Sequence, residues 1–171
     1  MKPEYRLARI EDLQDIWDLL QGARKKMETE GIFQWDDTYP DIGEIRQSIQ
    51  QQTMTVGCLD GKIVVCYVLD HRMEPEYVKG VWTDVGDAYY VLHRFCIHAE
   101  YQRKGLAKQT LAYMEQQCQK EGIHAIRLDV FRANLAAVNM YQHADYVLTG
   151  WSDWVKGPCD FYEKVILDLS K

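Results

Sequence analysis

The stretch Phe95-Cys96-Ile97-His98-Ala99-Glu100-Tyr101-Gln102-Arg103-Lys104-Gly105-Leu106-Ala107-Lys108 constrains this chain more than any other. An apolar strand runs into a short turn and then into a long amphipathic helix, whose apolar positions are Leu106, Ala107, Leu111, Ala112 and Met114. The start of a helix carries N–H groups without intrahelical partners and the positive end of the helix dipole. Together these attract phosphate. Gly105 and the small Ala107 let a bulky anion approach the backbone, and Arg103, Lys104 and Lys108 add positive charge. A plain strand-to-helix connection with a solvated basic patch gives the same local pattern. Neither a Walker loop, which needs GK[ST] after GxxxxG, nor the GxGxxG dinucleotide fingerprint is present.

The elements on either side set the fold class. Residues 5–10 form a strand, and a helical stripe of Leu13, Ile16, Trp17, Leu19 and Leu20 follows acids at Glu11 and Asp12. An aromatic-rich connection at 31–40 leads to a second helix through Ile42, Ile45 and Ile49. Strands at 54–59 and 63–69 flank Asp60-Gly61, a two-residue hairpin signal because both positions want positive φ. Residues 72–87 are polar and irregular, 88–97 form a long strand, and 103–121 form a helix that stops at Gly122. A short strand at 125–130 precedes a helix that Asn134 caps and that runs through Tyr141. Strands at 146–155 and 161–169 close the chain around a turn at Gly157-Pro158. The order β-α-α-β-β-β-α-β-α-β-β predicts an α/β fold (α+β by some schemes), a mixed sheet of about seven strands with about four helices on both faces. With no repeat, low-complexity tract or linker, residues 1–171 read as a single domain.

Composition excludes several functions. A formal charge of -6 disfavours nucleic acid, which needs a basic face. Five scattered cysteines show no zinc spacing, so they read as reduced packing residues of a cytoplasmic protein, with no metal expected. The N-terminal residues lack the apolar run of a signal peptide. No apolar stretch approaches the roughly 20 residues of a membrane helix, so no membrane partner is expected.

Two further features make the loop specific. Asp129-Val130-Phe131-Arg132-Ala133-Asn134 lies downstream, and Tyr141 follows Asn134 by seven residues. Seven residues at about 100° each return to nearly the same helix face, roughly 10 Å further along. A ligand lying on that face would touch both. Taken alone, Asn134 is also a plain N-cap and Tyr141 a core aromatic. With the Q-x-x-G-x-A pattern of Gln102, Gly105 and Ala107, the two segments resemble the GCN5-related N-acetyltransferase (GNAT) family over essentially the whole chain. The segment Gln34-Trp35…Tyr39-Pro40, taken with His93-Arg94, is similar to a bacterial subgroup of that family.

The resemblance implies a mostly antiparallel GNAT-like sheet and an acetyltransferase that carries acetyl from acetyl-CoA to a primary amine in a ternary complex. The amine would come from a small molecule or a peptide. Coenzyme A is then a co-substrate, with its pyrophosphate on Gln102, Arg103, Lys104, Gly105, Leu106, Ala107 and Lys108. Phe95, Cys96 and Ile97 would pair with the pantetheine arm as an added strand does. Asn134 would contact the cofactor, and Tyr141 would protonate the departing thiolate. Where the family usually has Gly after this Tyr, the chain has Asp145, a residue that tolerates the left-handed conformation.

The general base has two candidates. One is His93, which period two places on one face with Val91, Phe95 and Ile97. The other is Asp129, at the position of a family Glu base; a base acting through water is a further route. The acceptor side is expected around Trp35, Tyr39 and Asp36 or Asp37, an aromatic wall with a carboxylate for an ammonium group. Packing of the loop by its own aromatics is the competing reading. Homodimers are common in the family. A non-catalytic module that binds or senses acyl-CoA is the alternative function, since the central strand has no acid in its middle.

Overall fold

The computed structural model describes residues 1–166 of the chain. Among them are strands β1 (Glu4–Leu7), β2 (Met54–Leu59), β3 (Lys62–Asp70), β4 (Tyr89–Ile97), β5 (Ala125–Phe131), β6 (Val147–Trp154) and β7 (Gly157–Val165). The helices are α1 (Leu13–Thr29), α2 (Ile42–Gln50), α3 (Leu106–Lys120) and α4 (Leu135–His143). The sheet order is β1-β2-β3-β4-β5-β7-β6, with β4 and β5 parallel. This is the mostly antiparallel α/β architecture expected from the sequence. The chain divides into two compact units. One comprises Met1–Leu69 and His93–Gln109, the other the remaining described residues from Asp70–Leu92 and from Thr110 onward.

In the first unit, β1 and β3 both pair antiparallel with β2. The β2–β3 hairpin turns at Asp60 and Gly61, whose φ values of 49° and 80° are the two positive torsions that the dipeptide predicts. β1 ends at Leu7, three residues before the predicted end. There Asp12 accepts from the Arg9 N–H at 2.7 Å and from Arg6 at 2.6 and 2.9 Å, which turns the chain into a 3-10 turn at Ile10–Asp12. The core joins Ile16, Leu19, Leu20 and Ala23 of α1 and Ile45 and Ile49 of α2 to Met54, Val56, Cys66, Val68 and Cys96 of the strands. α2 starts on a reciprocal cap. The Gly43 N–H donates to Asp41, and the Asp41 N–H donates to Glu44.

β4 departs from strict alternation. Arg94 has a φ of 49°, and Val91, Leu92, His93 and Arg94 are all buried in succession. The expected common face of Val91, His93, Phe95 and Ile97 is therefore interrupted, because one left-handed residue breaks the pleat.

In the second unit, residues 72–87 are irregular as the sequence predicts, apart from one short element. That segment contains the 3-10 turn Pro75–Lys79, and Tyr77 within it is fully buried. The Tyr77 ring stacks on Trp82 at 5.4 Å and tilts against Phe161 at 5.0 Å. An ion pair fastens the same segment to the strands. Arg127 on β5 donates from Nε to Glu163 on β7 at 2.9 Å and from Nη2 to the Thr83 carbonyl at 2.8 Å. Glu163 in turn accepts from the Thr83 N–H at 2.9 Å. The guanidinium also lies 4.1 Å from the Tyr89 ring centroid and 5.3 Å from that of Trp82.

The β6–β7 turn is Val155-Lys156, and Gly157-Pro158 already belongs to β7. Gly157 is required there: with φ at 138°, a Cβ would come within 3.0 Å of the Phe131 ring. β7 ends at Val165, and residues 167–169 of the predicted last strand lie outside the described residues.

Arg127 and Glu163 are 7% and 5% exposed, so removing one leaves the other buried and uncompensated. Glu163→Ala is expected to cost about 3–5 kcal/mol in urea unfolding. A loss below about 1 kcal/mol, the range of a surface pair, would contradict that structural role.

Candidate active site

The turn before α3 is built by two left-handed residues, Arg103 with φ of 59° and Gly105 with φ of 80°. They delay α3 to Leu106, three residues later than the sequence predicts, because neither torsion is helical. Alternating torsions of this kind point successive N–H groups to one side and make an anion-binding concavity. Among the described residues, the Arg103, Lys104 and Gly105 N–H groups make no hydrogen bond of good geometry. Ala107 and Lys108 lie in the first helical turn, where N–H groups lack intrahelical partners. A Cβ built on Gly105 would meet only Gln109 Nε2, at 4.0 Å, so the backbone there faces open space. These features fit a pyrophosphate.

Gln102 serves differently from its neighbours. Its side chain donates to the Ile97 carbonyl at 3.1 Å and accepts from Lys26 Nζ of α1 at 2.5 Å. It ties the end of β4 to the turn and shapes the loop from behind. On β4 itself, Phe95 meets Tyr67 edge-on at 6.4 Å. Cys96 is buried in the core, where desolvation pushes its thiol well above the usual range, so the side chain is inert packing. His93 is also buried, at 8% exposure.

The expected acceptor residues share this unit but are largely committed to their own loop. Asp36 Oδ1 accepts from the Thr38 N–H at 2.7 Å, the Thr38 hydroxyl at 2.6 Å and the Tyr39 N–H at 3.1 Å. That is a loop-ordering carboxylate. Trp35 packs against the core cluster, Asp37 pairs with Arg24 at 2.9 Å, and Tyr39 precedes a cis proline.

The second unit carries the other predicted residues. Asn134 caps α4, its Oδ1 accepting from the Ala137 N–H at 3.2 Å. Tyr141 lies on the same helix, 7% exposed, with its ring edge-on to Tyr146 at 5.5 Å. Burial pushes the Tyr141 phenol up, and the Asp129 charge acts in the same direction. α4 ends as expected: Asp145 takes the left-handed conformation with φ of 65°. Asp129 accepts from the Tyr77 hydroxyl at 2.6 Å. Nothing in the sequence singles out Tyr77. The structure thus links Asp129, Tyr77 and Tyr141 in one unit, and the Phe95–Lys108 stretch and the 34–39 connection in the other.

A sequence profile of the acetyltransferase (GNAT) family matches residues 13–146, and the chain belongs to that family. Among solved structures it is similar to a GNAT-family acetyltransferase of Streptococcus agalactiae, at 24% identity over 95% of each chain and a TM-score of 0.81. A GNAT-family acetyltransferase of Listeria monocytogenes matches at 21% identity over 95% of this chain and 94% of that one, with a TM-score of 0.76. A third likeness is a Salmonella typhimurium acetyltransferase solved with acetyl-CoA, at 12% identity over 100% and 98% and a TM-score of 0.72. At these identities the likenesses concern the fold. No curated protein matches the sequence.

The buried Tyr141 phenol is expected to stay protonated well above the ordinary value of about 10. Phenolate absorbance of wild type and Tyr141→Phe should therefore superimpose through about pH 10, where an ordinary tyrosine is half ionised. An extra phenolate in wild type near pH 10 would contradict the burial argument.

Proposed function

We propose that the chain is an acetyl-CoA-dependent N-acetyltransferase acting on a primary amine in a ternary complex. The observation that carries this reading is the open turn at 103–105, with its uncommitted N–H groups leading into α3. Family membership supports acetyl transfer in general. The backbone amides of Arg103, Lys104, Gly105, Leu106, Ala107 and Lys108 would hold the pyrophosphate, while Gln102 braces the turn. Phe95, Cys96 and Ile97 would offer main-chain groups to the pantetheine arm, and Asn134 would contact the cofactor from the N-terminus of α4.

Acetyl-CoA supplies an activated acyl carbon. The neutral amine attacks it, a main-chain N–H holds the oxyanion, and collapse expels the thiolate. Tyr141 donates its proton to that sulfur, a task suited to a phenol that burial keeps protonated. Asp129 and His93 are the candidate bases. Asp129 has the better-defined setting, because the Tyr77 hydroxyl fixes one of its oxygens. We take residues 1–171 as one acetyltransferase domain, since the family match runs through both compact units.

A Tyr141→Phe variant should lose about 10²-fold in kcat, the usual weight of a general acid, with acetyl-CoA affinity nearly unchanged. Unchanged turnover across a broad amine panel would remove Tyr141 from the mechanism. Gly105→Glu places a bulky anion in the open face of the turn and should abolish acetyl-CoA binding in calorimetry. Intact binding by that variant would remove the loop from the cofactor site.

A further inference from the structure

Arg94 occupies the left-handed position in β4 and is 6% exposed. Its guanidinium makes one hydrogen bond, from Nη2 to the Ser48 hydroxyl of α2 at 2.6 Å. Nε and Nη1 are buried without a hydrogen-bond partner. Those two nitrogens hold three of the five N–H donors of an arginine. Among the described residues no carboxylate pairs with Arg94, and no aromatic ring lies under it. Ser48 cannot neutralise the charge, since its hydroxyl is neutral and its own proton goes to the Glu44 carbonyl at 3.0 Å.

The surroundings sharpen the imbalance. Cys66, whose thiol burial pushes up to about 12, lies against the Arg94 carbonyl, and Ile45 and Ile49 flank Ser48 on the core face of α2. A second buried donor in the same condition, Gln21 Nε2, sits on α1, the helix packed against α2. A guanidinium in apolar surroundings costs several kcal/mol unless an anion and further hydrogen bonds compensate it. The basic turn at 103–108 already accounts for phosphates, and it has its own donors. Arg94 directly precedes Phe95, where the proposed thioester-bearing arm would run. In the proposed mechanism a main-chain N–H serves the oxyanion and Tyr141 the thiolate, so the charge left for Arg94 is one carried by the acceptor.

We infer that Arg94 is an anion-recognition residue, and that the acceptor is an amine carrying a carboxylate, of the amino-acid class. This deepens the acetyltransferase reading and rests on it. A planar guanidinium suits a carboxylate because it can donate two parallel N–H bonds, and a neutral amide of the same shape cannot replace that charge.

The test uses matched acceptor pairs with the full-length protein: L-amino acids and the corresponding amino-acid amides, each with acetyl-CoA. Wild type is expected to favour the acids by at least about tenfold in kcat/KM, the range of a charge-assisted hydrogen bond. Arg94→Met should collapse that ratio towards one through a raised KM for the acids, and Arg94→Lys should keep part of it. Equal use of acids and amides by wild type overturns the inference, as does a ratio unchanged in Arg94→Met. Should Arg94→Met fail to fold by circular dichroism, the wild-type ratio and Arg94→Lys still decide.

Thermal stabilisation by the acids over the amides, measured without acetyl-CoA, reads the Arg94 site independently of catalysis. Acetyl-CoA binding without any preference for acids sinks this inference alone. Acid-specific stabilisation that Arg94→Met removes, in a protein that binds no acetyl-CoA, sinks the acetyltransferase reading and leaves the anion site standing.

Discussion

Two left-handed residues, Arg103 and Gly105, hold the turn between β4 and α3 in a shape that ordinary helix or strand torsions do not give. Their torsions keep the N–H groups of the turn from being absorbed into α3. Gly105 meets the requirement at no steric cost, whereas Arg103 carries strain of about 1–2 kcal/mol. Gln102 stabilises the result from behind by bonding both the Ile97 carbonyl and Lys26. The functional reading depends on this small construction, because an anion cradle exists only where the amides are left uncommitted and aimed together.

Much of the fold was legible because local chemistry and periodicity agreed. Asp60-Gly61 forces its own hairpin, Asp41 and Glu44 close their own cap, and Asn134 caps α4 with its side chain. The amphipathic stripe of α1 packs as its spacing requires, and so do Ile45 and Ile49 of α2, while Ile42 is exposed. Where reading failed, distant partners decided. Residues 72–87 read as polar and irregular, yet Tyr77 and Trp82 are held against Phe161 and fastened by Arg127 and Glu163, which lie far along the chain. Hydrophobic periodicity cannot see a strand that takes one left-handed residue, so the break at Arg94 in β4 was invisible.

The same division applies to the site. The cap at Asn134 and the helix that carries Tyr141 are legible in the sequence, whereas the left-handed turn at Arg103 and Gly105 delays α3 beyond its predicted start. Asp36 has the charge to meet an ammonium group, but three donors of its own turn occupy one of its oxygens. Asp129 is marked in the sequence only by its position, and the hydroxyl that orients it comes from a residue 52 positions earlier. In the sequence Arg94 is marked only by the His93-Arg94 pair, because an arginine in a strand usually faces water; its burial and its uncommitted nitrogens give it meaning.

The proposed cofactor site requires that the amides of the turn grip the phosphates of acetyl-CoA. Backbone amide exchange of the free protein and of the protein with saturating acetyl-CoA measures this directly. The account predicts slowed exchange at residues 103–108, greater than anywhere in the 31–40 connection. Binding of acetyl-CoA that leaves exchange at 103–108 unchanged would contradict it.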